Sequence, residues 1–363
     1  MSDEIVPHAQ PITPGGDAEW FPPAEDDTIA APPGPPQRNL RWVFFGPDGL
    51  RAGWSVLLFV ALLLAFGGLA KTALRHTFGP QRAMIGNSKE TPVNVTLLGE
   101  WAIFLATALA AFVVSRIERR RFAGYGIGPL TSHRMKQFLV GCGWGFGLLT
   151  MLVLILHYTG LLAWNGFLLH GGEVAKWGAL WFLAFLGVGM LEEFLTRGFL
   201  QFTLARGVAG IAKALGASDR WRNAFGFWAI ALFFSLLFGL GHKGNPGESP
   251  VGLASAGLIG LVFAFSLWRT GSLWWAIGFH AAWDWAQSFV WGVADSGGMM
   301  QHHLLDTHPQ GAVLMSGGLT GPEGSVYVLP IILLTAAIIA WTLKPEPGSA
   351  AMGLATASDL PAR

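Results

Sequence analysis

WGALWFLAFLGVGMLEEFLTRG, Trp177 to Gly198, is the stretch on which the reading of this chain turns. From Trp177 to Leu191 it carries no charge; two glutamates and an arginine then arrive within six residues. Crossing a hydrocarbon core of about 30 Å takes roughly 20 mostly apolar helical residues. Trp177–Thr196 therefore reads as a membrane helix with ionisable groups set into it. Such a group costs at least about 2.5 kcal/mol to insert and usually faces the bundle interior beside a partner. On a helix Glu193 and Arg197 lie four apart on one face with the acid N-terminal, the favourable order for an ion pair. Glu192 points about 100° away around the axis, so its carboxylate is left for another partner. By itself the pair reads equally well as a device that locks helices together.

The rest of the chain fits a membrane setting. Of its 363 residues 52% are hydrophobic and only 12% charged, and the mean hydropathy is +0.47; an average globular chain has about a quarter charged. A formal net charge of +1 leaves no basic footprint for nucleic acid. The single cysteine, Cys142, excludes an intramolecular disulfide framework and a cysteine-rich metal site. Seven further apolar stretches match the first: Ala52–Ala70, Val93–Val114, Phe138–His157, Ala224–Gly241, Val251–Trp268, Leu273–Val293 and Val326–Leu343. The expected fold is an all-α polytopic bundle of about eight transmembrane helices around a polar intramembrane cavity. Seventeen tryptophans suit the interfacial belts of such a protein.

Residues 1–40 are rich in proline and small or acidic residues, without an apolar period, and read as a disordered tail. Met1 is followed by acid and proline, so no signal peptide is expected and the first membrane helix should also anchor the chain. With the N-terminus inside, sixteen Lys and Arg fall on the cytoplasmic side and six on the other, which predicts both termini in the cytoplasm. The halves show no repeat.

The ionisable residues inside the spans concentrate in helices four, five and seven. Phe238-Gly239-Leu240-Gly241-His242 closes the fifth helix, and His280-Ala281-Ala282-Trp283-Asp284 places an imidazole and a carboxylate on one face of the seventh. Glu100 and His157 are the others. Singly, His242 reads as an interfacial histidine, and His280 with Asp284 reads equally well as a satisfied polar pair or as a site. Together, an unpaired carboxylate and two histidines, one with an acid beside it, are what activating a water molecule requires. The cluster Gln301–His308 fits no standard metal spacing and reads as a solvated loop.

Glu-Glu-x-x-x-Arg, Phe-x-x-x-His and His-x-x-x-Asp, each on its own membrane helix, resemble the CPBP intramembrane proteases. That group includes the Ras-converting CAAX endopeptidases and bacterial relatives linked to bacteriocin processing and immunity. The resemblance covers about 177–293 as a catalytic core, with membrane helices over 41–176, a loop and last helix over 294–343, and a C-terminal tail over 344–363. It implies a membrane-embedded endopeptidase in which Glu192 and His242 activate water and His280 and Asp284 bind or stabilise the oxyanion. Glu193, Arg197 and Phe238 would support the site. The substrate would be a peptide or protein, lipidated in the CAAX case, reached from membrane or cytoplasm, in a bacterial plasma membrane.

Where the pattern allows Asn, Asp284 when ionised can only accept a hydrogen bond, so it is expected either to orient His280 and leave the imidazole as donor, or to be protonated. Glu192, His242 and His280 also match zinc in ligand type. A metal-independent glutamate mechanism is preferred, since no short ligand pair shares one helical face apart from His280 and Asp284. The stated boundaries put Glu192 near the cytoplasmic end of helix four and His242 near the far end of helix five. They meet if helix four continues through Phe199–Ala205 and helix five is short, tilted or broken at Gly239 and Gly241. Two other readings stand beside the protease: a non-enzymatic immunity or scaffold protein whose charges hold the bundle, and a proton-coupled transporter relaying through Glu192 and His280.

Overall fold

In lipid every backbone polar group must be satisfied within its own segment, so apolar stretches of this length become helices. The computed structural model describes residues 40–46, 49–79, 90–346 and 349. The N-terminal tail apart from Leu40, and most of the C-terminal tail, lie outside the described residues. All eight apolar stretches are helical: α1 (Ala52–Phe78), α2 (Val93–Ile117), α3 (Ser132–Tyr158), α4 (Gly172–Ala214), α5 (Asp219–Gly241), α6 (Pro250–Thr270), α7 (Trp274–Trp285) and α8 (Val328–Thr342). Helix accounts for 73% of the structure, and strands pair only two at a time, so the fold is an all-α polytopic bundle. Six helices, α1 to α6, are long and apolar enough to cross a membrane, which makes this an integral multi-pass membrane protein. The other two are shorter. α7 holds His280 and Asp284 and runs on as a π-helical turn, Ala286–Val290, while α8 has 15 residues.

The expected end of helix four at Thr196 is too early. α4 runs 43 residues to Ala214, passing through a π-helical turn at Phe194–Leu200. Arg197 looks like a stop signal in the sequence, but Glu193 neutralises it in place. α5 is unbroken at Gly239; it ends after Gly241, and His242–Gly244 form a single 3₁₀ turn. Gly239 serves a close approach instead, since a Cβ there would collide with the Leu253 and Gly257 backbone of α6.

Packing contacts fix the relative depths. Ala52, at the start of α1, packs on Gly207 of α4, and Phe59 stacks on Phe199 with ring centroids 4.0 Å apart. α4 and α5 form an antiparallel hairpin in which Gly226 packs on Ala205 and Ala209. Counting along that hairpin brings His242 to the level of Glu192, about 24 Å above Gly226 at 1.5 Å per residue. Gly189 of α4 meets Ile277 and Ala281 of α7, which brings His280 to the same level. α7 is held there by α3, because the backbones of Trp275 and Phe279 lie directly on Gly141 and Gly145; small residues at such crossings are how membrane helices approach closely. α4 continuing past Arg197, with α5 starting low, is what lets Glu192 and His242 share a depth.

The 301–308 segment is not a plain solvated loop. β2 (Leu305–Pro309) pairs antiparallel with β1 (Leu162–Phe167). His303 is buried with Nδ1 bonded to Met300 O, and His302 stacks on Trp177. This pairing spans some 140 residues, which local periodicity does not register.

Candidate active site

At the shared depth lies a cavity of about 360 Å³, within the range usual for ligand pockets. Glu192, His242, His280 and Asp284 all line it. The π-helical turn begins directly after Glu193, where Thr196 Oγ1 donates to Glu192 O at 2.5 Å; such turns are frequent at functional sites.

Glu193 and Arg197 form the expected pair, Nη1 to Oε1 at 2.8 Å, both buried. Glu193 is not committed to Arg197 alone. The same Oε1 lies 3.0 Å from His280 Nδ1. The acid that orients His280 is therefore Glu193 from α4. Asp284 Oδ2 stands 3.5 Å from His280 Nε2, too far for a good hydrogen bond. An i,i+4 spacing brings two side chains near each other on a helix, but a carboxylate from the facing helix can approach end-on.

Glu192 makes no contact with Arg197, as its angular position requires; the imidazole beside it is His280, with Oε2 to Nε2 at 3.7 Å. His280 Nε2 thus faces two carboxylates, at 3.5 and 3.7 Å. His242 Nδ1 lies 2.7 Å from Phe238 O. A carbonyl only accepts, so that nitrogen carries a proton, and in the neutral ring Nε2 then presents a lone pair. Phe238 braces this imidazole: its ring packs on His242 with centroids 4.9 Å apart and takes the Arg197 guanidinium at 4.4 Å on its face.

Three more acids reach the cavity. Glu100 comes from α2, and Asp295 and Glu323 from the segment between α7 and α8. Glu323 accepts from Ser296 N at 2.5 Å and from its hydroxyl at 2.8 Å; Asp295 accepts from Ser288 at 3.2 Å. Burial pushes both carboxyls above the ordinary range, most firmly Asp295, where Asp284 and Glu323 add to the effect. Sequence reasoning missed both because they sit in turns, which carry no apolar period. Among the described residues no three His, Cys, Asp or Glu side chains converge as a metal-binding group.

The site is thus a set of histidines and acids around a cavity inside a membrane bundle. Residues 174–286 match the family model described as type II CAAX prenyl endopeptidase Rce1-like. Over those residues the core is similar to the CPBP/CAAX intramembrane proteases, a family of membrane-embedded endopeptidases. Neither the curated proteins nor the solved structures include a match to the chain.

Proposed function

We propose that this chain hydrolyses a peptide bond of a CAAX-type, lipidated substrate, with water activated between Glu192 and His242. The carrying observation is Glu192: a carboxylate with no arginine or lysine beside it, opening into a cavity that His242 also lines with a free Nε2. As the water oxygen bonds to the carbonyl carbon, its proton passes to Glu192. His242 Nε2 accepts the other hydrogen of that water and aims its lone pair. His280, held by Glu193, sits where a donor can meet the developing oxyanion, and Asp284 lies beside the same nitrogen. Preorganised donors of this kind are worth about 10²–10³ in rate. A glutamate base suffices for this chemistry, and the mechanism runs without metal. Both termini are placed in the cytoplasm on the 16-to-6 distribution of Lys and Arg.

The test is cleavage of a prenylated CAAX-type peptide by the purified full chain, followed by mass spectrometry, wild type against Glu192→Ala. The proposal expects a single internal cut that the variant does not make. Zinc bound stoichiometrically, lost with activity under a chelator and restored on addition, would replace the glutamate-only mechanism with a metal-bound water.

A further inference from the structure

The hydrolysis above leaves one proton unassigned: the nitrogen that departs must receive one. Glu100 is a carboxyl about two turns into α2, and it lines the same cavity as Glu192. Its place is fixed by the α2–α4 contact. The Trp101 indole donates to Leu183 O at 2.9 Å. A Cβ on Gly187 would lie 2.9 Å from Trp101 Nε1 and 3.3 Å from Glu100 Cβ. Bare backbone at Gly187 is thus what lets Glu100 pass over α4 towards the cavity. Among the described residues no cation and no hydrogen-bond donor pairs with Glu100. A helix-locking acid would have such a partner, as Glu193 does. An unpaired charge within a span is the costly form of a carboxyl, and the proton-bearing form is the one a general acid needs.

We propose that Glu100 is the general acid of this site, delivering a proton to the leaving nitrogen. Glu192 takes a proton from water as the water oxygen bonds to the carbonyl carbon. The carbon–nitrogen bond breaks as the Glu100 carboxyl gives its proton to the nitrogen, releasing a neutral amine. The proton held on Glu192 then passes through a cavity water to Glu100, and both groups return to their starting forms. This rests on the endopeptidase reading.

The experiment compares two probes on the full chain in detergent micelles. One is an internally quenched prenylated CAAX-type peptide; the other is its acyl half as a 4-nitrophenyl ester, whose phenolate departs without a proton. Glu100→Gln is expected to lower kcat on the amide about 100-fold, at the low end of general acid catalysis, and to change ester turnover less than threefold. Glu192→Gln is expected to lose both. Equal losses on the two probes, or no loss on either, in a folded Glu100→Gln protein would overturn the assignment. Should Glu100→Gln fail to fold, Glu100→Asp decides it: slower amide turnover with unchanged ester turnover supports the general acid, and parallel losses reject it. A wild-type protein that cleaves neither probe would sink the endopeptidase reading and Glu100 with it. Wild-type cleavage with an indifferent Glu100→Gln sinks Glu100 alone.

Discussion

Two buried carboxylates in this molecule meet opposite fates. Glu118, at the end of α2, is surrounded by donors: Arg206 Nη2 at 2.9 Å and the Ser55 hydroxyl on Oε1, and Arg120 Nε at 3.2 Å from Oε2. It ties α1, α2 and α4 together and lines no cavity among those described. Glu192 has a single imidazole at 3.7 Å and opens into about 360 Å³ of space. Both are acids in an apolar bundle. What separates a brace from a reagent is whether the protein itself satisfies the charge or leaves that to something that enters.

The largest effects on stability should come from breaking the satisfied pairs. Glu118→Ala and Arg197→Ala each remove one partner of a buried ion pair, at about 3–5 kcal/mol, read as a lower melting temperature and yield in detergent. They should part company in catalysis. Glu118→Ala is expected to keep its cleavage rate per folded molecule, whereas Arg197→Ala loses it along with the Phe238 brace on His242. A Glu118→Ala protein that melts normally but cannot cleave would blur the distinction.

Asp284→Asn should do less. At 3.5 Å from His280 Nε2 the carboxylate makes no close hydrogen bond, and one such interaction is worth about 1 kcal/mol. Cleavage is expected to change by no more than about tenfold. A larger loss would show that Asp284 closes on His280 when substrate is bound.

The smallest effect is expected at Asp295, whose carboxyl burial raises. A group with a raised folded value contributes its full stability below its unfolded value of about 3.9. That contribution is lost as pH rises through the folded value. Asp295→Asn should therefore raise the melting temperature at neutral pH, more so at higher pH, and change nothing below about pH 4. A stabilisation that grows on acidification would contradict the burial argument.

The helices were legible because lipid demands an uninterrupted apolar run, and all eight stretches marked by that rule are helical. The end of α4 was not. A lone arginine and glycine mark a boundary unless a glutamate one turn back cancels the charge, and cancellation is a matter of geometry. The meeting of Glu192 with His242 and His280 in one cavity could be anticipated from motif order and from letting helix four run on. Which acid holds His280 could not, since Glu193 reaches it across a helix interface while Asp284 is its sequence neighbour. Asp295 and Glu323 were invisible for a related reason: they sit in turns with no period, carried to the cavity by a segment that pairs with β1 and folds back on α6 through Ser255 to Glu323 O at 2.9 Å.

The measurement that tests the central claim most directly puts Glu192→Gln and Glu118→Gln side by side, with melting temperature and peptide cleavage taken on the same preparations. Glu192→Gln is expected to melt like wild type and to cleave about 10²–10⁴-fold more slowly, the contribution expected of a general base; Glu118→Gln should melt lower and cleave at the wild-type rate per folded molecule. A Glu192→Gln protein that still cleaves at the wild-type rate would contradict the account.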